Sequence, residues 1–120
     1  MKDSILKTKS YNFALRIVKL AQYLQSDKKE FILSKQVLKS GTSVGALIRE
    51  AEFGQSKADF ISKMSISLKE ANETMYWLSI LKDSNYIEQK IFDSMNADCS
   101  ELIAILVSTV KTSKKNNEKI

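Results

Sequence analysis

The side chains available for chemistry in this 120-residue chain are few, and the missing types narrow the options first. Histidine is absent. Serine-histidine-aspartate and cysteine-histidine nucleophile pairs are therefore excluded, as is the carboxylate-histidine di-metal centre that helical bundles build. Cys99 is the single cysteine, so neither an intramolecular disulfide nor a thiolate zinc cage is available. On its apolar stripe it reads as a small core residue, like Met64, Met75 and Met95. Glu70 and Glu73 stand out because they lie on an otherwise apolar stripe with Ile66, Trp77 and Ile80. As an acid/base pair they lack companion machinery. As charges on an apolar face they need a cationic partner, and that face is expected to be an interface between copies of the chain. No catalytic residue, metal ligand or cofactor is assigned, and an enzyme is not expected.

Two other patterns could carry function. Lys35, Lys39, Thr42, Ala46 and Arg49 follow one another at steps of three and four, one stripe of a helix. Arg16 and Lys19, with Lys9, add cations from an earlier helix, and Lys114 and Lys115, with Lys111, from the C-terminal tail. Were these side chains to converge they would form a phosphate-tracking surface; dispersed, they are a solvated face. No RNP motif, zinc knuckle or GXXG loop accompanies them, so base-specific reading is not expected. The second pattern is Gly41-Thr42-Ser43-Val44-Gly45. An interior glycine costs a helix about 1 kcal/mol relative to alanine, so two in one turn need a reason. Close packing against a neighbouring backbone supplies one for Gly41 and Gly45; a phosphate cradle is the sharper alternative, but no Walker pattern is present.

The elements that must position these residues are helical. The chain has no proline and three glycines, too little punctuation for a sandwich or barrel. Phe13, Ala14, Ile17, Val18, Ala21 and Leu24 predict a helix over about 10–25 with Ser10 as its N-cap. Val37, Gly41, Val44, Ile48 and Ala51 predict a second over about 34–53, capped by Ser34 and ended by Gly54. Ser56 to Asp59 resembles a capping box and opens a third over about 57–83, with Ile61, Met64, Leu68, Ala71, Met75, Leu78 and Leu81 on its core stripe. Ile91, Met95, Cys99, Leu102, Leu106 and Val110 predict a fourth over about 88–111. The polar tail 112–120 is expected to fray. Four amphipathic helices with short connections predict one all-α domain over 1–120, an antiparallel up-down four-helix bundle.

Charge is distributed unevenly along the chain. Residues 1–49 hold ten Lys/Arg against three Asp/Glu, whereas residues 50–110 hold five against ten. This polarity suggests contact between the basic part of one copy and the acidic part of the next, a heterologous arrangement that closes into a ring when the rotation permits. The longest apolar run, Leu102 to Val107, is six residues, far short of a membrane span, and residues 1–10 lack the apolar core of a signal peptide. A cytoplasmic protein is expected, with no membrane partner.

The run Ser40-Gly41-Thr42-Ser43-Val44-Gly45-Ala46, then Ile48, Glu50-Ala51, Ser56-Lys57-Ala58-Asp59-Phe60, Glu70-Ala71, Glu73-Thr74, Tyr76-Trp77-Leu78 and Leu81, resembles the bacterial four-helix-bundle family of 23S ribosomal RNA intervening-sequence proteins. The retroelement accessory variability proteins are similar to it as well. The resemblance implies a bundle that assembles into a ring, typically a homopentamer, with no established catalytic activity and with RNA or DNA as a partner. Leu47 stands where the family usually has asparagine, so the polar contact of that asparagine is not available here. The leading expectation is a non-enzymatic ring-forming bundle that binds nucleic-acid phosphates or scaffolds a nucleoprotein complex. The alternative is a protein-binding oligomeric adaptor without nucleic-acid contact.

Overall fold

The computed structural model describes residues 2–118, with side chains over 5–116; Met1 and the end of the tail at 119–120 lie outside the described residues. Four helices follow one another, α1 (Lys2–Ser26), α2 (Leu33–Glu52), α3 (Lys57–Asp83) and α4 (Gln89–Glu118), with no strand among the described residues. α1 packs on α2 and α4, and α3 packs on the same two, so the helices occupy the corners of a square and the diagonals do not meet. The bundle measures 52 × 22 × 20 Å.

α1 begins eight residues before the expected start, and Ser10 is not its cap. Leu6 is fully buried and extends the core stripe backwards through Ser10, Phe13, Ile17 and Leu24, so the first two turns are held by burial. Ser10 sits on that stripe because a small residue is needed there, and its hydroxyl donates to the Lys7 carbonyl at 3.1 Å. α4 likewise continues past Lys111, and Ser113, two residues further on, is buried. The tail expected to fray is therefore helical as far as Glu118.

The entry to α2 is also held differently. Ser34 does not cap it; the cap position is Ile32, with no side-chain bond of its own. The Glu30 carboxylate accepts instead from the backbone N–H groups of Ile32, Leu33 and Ser34, at 3.2, 2.9 and 2.7 Å. Burial alone would raise the Glu30 carboxyl, but these donors outweigh it and hold the group below the ordinary carboxylate value. At α3 the Ser56 hydroxyl accepts from the Asp59 N–H at 3.0 Å, and Asp59 reaches back to the N–H of Gln55 at 3.3 Å.

The stripe of α3 is turned from the expected one. Met64, Ser67, Ala71, Thr74, Leu78 and Leu81 are buried, whereas Ile61, Leu68 and Met75 are half-buried at its side. The two hydroxyl residues replace larger side chains because α2 lies close: Ser67 donates to the Val44 carbonyl at 2.9 Å, and the hydroxyls of Thr74 and Ser40 lie 2.9 Å apart. On α4, Ile91 is 44% exposed and falls off the core stripe, which starts at Met95.

Candidate nucleic-acid interface

α2 is fixed by its inner face, where Val37, Gly41, Val44, Ile48 and Ala51 are buried. A Cβ at Gly41 would lie 2.7 Å from Cγ1 of the buried Ile17, and one at Gly45 would lie 3.3 Å from the Ser10 hydroxyl and 3.4 Å from its carbonyl oxygen. Gly45 thus faces the α1 backbone at Ser10, whereas Gly41 makes room for the Ile17 side chain. The opposite face carries Lys35, Lys39 and Arg49, all exposed and none in an ion pair among the described residues. No acidic residue occurs between Leu33 and Arg49. Lys35 and Arg49 are separated by fourteen residues, roughly 21 Å along the helix at 1.5 Å per residue. Thr42 and Ser43, between them, donate their hydroxyls to the carbonyls of Leu38 and Lys39 at 2.7 and 2.6 Å, which keeps this strip short in profile.

The remaining cations do not join that strip. Arg16 is engaged by α4: its guanidinium meets Asp98 at 2.7 Å and the Ser94 hydroxyl at 3.0 Å. Lys19 is exposed at the lip of a groove of about 520 Å³ between α1 and α4, whose apolar lining is Leu20, Tyr23, Ile87, Ile91 and Met95. Lys114 and Lys115 are exposed on the last turns of α4. That end of α4 shares a cavity with Ala51 and Phe60, so it lies at the Arg49 end of the bundle and away from Lys35. The basic residues therefore occupy three places, of which α2 carries the unneutralised strip.

The charge polarity between the two halves of the chain is met in part within one molecule. Lys7 pairs with Glu52 at 2.9 Å, Lys9 with Glu101 at 3.1 Å and Arg16 with Asp98 at 2.7 Å, each joining the basic segment to the acidic one. These three cations are therefore satisfied inside the chain and are not the ones available for contact between copies. Sequence spacing did not reveal these pairs, because each joins residues at least 45 positions apart.

On α3, Ile66 is 41% exposed, while Trp77 and Ile80 are half-buried and Trp77 packs against the core of its own chain. The Trp77 indole N–H donates to Glu73 at 3.1 Å, so the partner of Glu73 is a neutral donor one turn away and not a cation. The Tyr76 ring meets the Trp77 ring edge-on at 5.1 Å. Glu70 is half-buried on the same face. Cys99 is buried, donates its thiol to the Ala71 carbonyl at 3.2 Å, and is pushed up to about 12 by burial and by the charge of Asp98, which leaves it no nucleophilic character at neutral pH. Among the described residues no group of three His, Cys, Asp or Glu side chains is placed to hold a metal, and no helix is long and apolar enough to cross a membrane.

The family model of the 23S rRNA-intervening sequence protein matches residues 2–108. The chain is also similar to a crystal structure of a protein of unknown function from the S23 ribosomal protein family of Bacteroides thetaiotaomicron. That likeness has a TM-score of 0.92 and 53% identity over 92% of this chain and 99% of that one. No curated protein matches the chain.

Proposed function

The chain belongs to the 23S rRNA-intervening sequence protein family, and from that premise we propose a non-catalytic role in which the bundle binds the phosphates of nucleic acid, as a site in itself or as a scaffold for a nucleoprotein complex. The observation that carries this reading is the outer strip of α2. Lys35, Lys39 and Arg49 are exposed, unpaired among the described residues, and uninterrupted by any carboxylate. Cations that neutralise phosphates release counterions, so the affinity falls as salt rises and does not depend on sequence. In this reading the chain assembles with copies of itself into a ring, with the Ile66, Glu70, Glu73, Trp77 and Ile80 face of α3 as the contact. A ring repeats a weak strip and raises its avidity.

Replacing Lys35, Lys39 and Arg49 together by alanine is expected to weaken binding to unrelated sequences alike and to reduce the salt slope by about 2, at roughly 0.7 per lost single-strand contact. An unaltered affinity would transfer the binding to Lys114 and Lys115. Light scattering on the wild type and on Trp77→Ala tests the assembly: a wild-type monomer at micromolar concentration overturns the ring. The adaptor reading has one observation in its favour, the open apolar groove between α1 and α4, and predicts no nucleic-acid binding even at low salt.

A further inference from the structure

Beside the α2 strip, α1 and α2 leave a shallow groove of about 270 Å³, lined by Tyr11, Ala14, Thr42, Gly45, Ala46 and Arg49. Its floor is made of small residues: Gly45 has no side chain, and Ala14 and Ala46 have one carbon each. Its wall is the Tyr11 ring, 56% exposed although aromatic. One end is the unpaired Arg49 guanidinium. Lys7 also reaches the groove, and it meets the nearby carboxylate of Glu52 at 2.9 Å, so that acid is neutralised. The volume lies just under the ~300–1,000 Å³ of ordinary small-molecule pockets, so it suits one flat ring system and not a whole ligand.

We infer that Tyr11 is a stacking platform for an unpaired base, and that the ligand of this face is single-stranded nucleic acid, its phosphates running along Lys39 and Arg49. This rests on the phosphate-binding reading above and narrows it. A flat apolar ring beside regularly repeated negative charge is the composition of a single strand, and an exposed aromatic next to a cationic strip is the complementary surface. Duplex is disfavoured because its bases stay paired and stacked, so it offers this surface phosphates but no free base for Tyr11.

The test measures fluorescence anisotropy with a labelled ~15-nucleotide strand, as RNA and as DNA, and with the same strand annealed to its complement. The single strands are expected to bind more tightly than the duplex. Tyr11→Leu should weaken the single strand about tenfold without changing the salt slope, and Tyr11→Trp should retain or exceed wild-type affinity. Circular dichroism should show unchanged helix, since the ring is largely exposed. If Tyr11→Leu binds like wild type while the Lys35/Lys39/Arg49 triple mutant does not, stacking is overturned and phosphate binding stands. Equal affinity for duplex also overturns the inference. Tyr11-dependent binding of a polyglutamate peptide, with similar affinity, overturns it in favour of an acidic protein partner. Failure of wild type to bind any strand at low salt overturns both readings.

Discussion

The α2–α3 and α1–α4 seams belong to one bundle and are held by different physics. Between α2 and α3, hydroxyl residues replace bulky ones, and a side chain bonds directly to the opposite backbone, Ser67 to Val44 at 2.9 Å. Between α1 and α4 the core is shut off by ion pairs at the rim, Lys9 to Glu101 and Arg16 to Asp98, beside a groove of about 520 Å³. Packed interiors tolerate little change in volume, whereas exposed charge pairs contribute about 0–1 kcal/mol each. The tight side, α2 with its neighbours, should therefore carry the stability and present a rigid outer strip, and the loose side should absorb change.

The largest expected effect breaks this comparison most directly. At Gly41 a Cβ alone would come within 3 Å of three atoms of the fully buried Ile17. Gly41→Val should lower stability by about 2–3 kcal/mol through overpacking. Ile91→Ala on the loose side, at a residue 44% exposed, should cost about 0.5–1 kcal/mol because little area leaves the core. Urea denaturation of the two variants compares them; equal losses would mean that the α1–α2 contact is no tighter than the α1–α4 seam.

How much of this contrast the sequence carried depends on the residue. The inner stripe of α2 was legible because Val37, Val44 and Ile48 are apolar at helical spacing and every one is buried. Periodicity displaces the stripe of α3, because hydrophobicity alone ranks Leu68 and Met75 above the buried Ser67 and Thr74. A close neighbouring helix reverses that order, and periodicity does not report the neighbour's distance. Ser10 misled for the same reason: a serine reads as a cap until a glycine on another helix, Gly45, is known to face it. In the candidate interface, Lys35, Lys39 and Arg49 were found by spacing. Arg16 could not be separated from them, because its neutralisation by Asp98 comes from a helix 82 residues away. Tyr11 gave no signal, since exposure of an aromatic is a tertiary fact.

A smaller effect sharpens the comparison at the top of the tight side. Glu30 anchors α2 through three backbone N–H groups, and Glu30→Gln should cost about 1–2 kcal/mol by weakening charge-assisted bonds. Its carboxyl is held below the ordinary value in the folded chain, so the folded state favours the ionised form. The stability it adds is complete above the unfolded value of about 4.3 and is lost as pH falls through the folded one. Thermal melts between neutral pH and about pH 3 should fall less steeply on the acid side for Glu30→Gln than for wild type. Parallel curves would remove Glu30 from the account of how α2 is held.

The smallest effect tests the loose seam on its own terms. The side chains of Arg16 and Asp98 are 38% and 45% exposed, so water screens their attraction despite the 2.7 Å contact. A double-mutant cycle with Arg16→Ala and Asp98→Ala should give a coupling below about 1 kcal/mol that fades as salt is raised to about 1 M. The same cycle separates the two sets of cations. If α2 carries the phosphate contacts, Arg16→Ala should change nucleic-acid affinity by no more than about twofold, because that guanidinium is already neutralised and lies on another seam. A rise in affinity with Asp98→Ala that Arg16→Ala cancels, and that removing a remote carboxylate such as Asp83 does not reproduce, would mean that the guanidinium released from its carboxylate has found a phosphate. The loose α1–α4 seam would then be part of the binding face, and the contrast between the two seams would hold for stability alone.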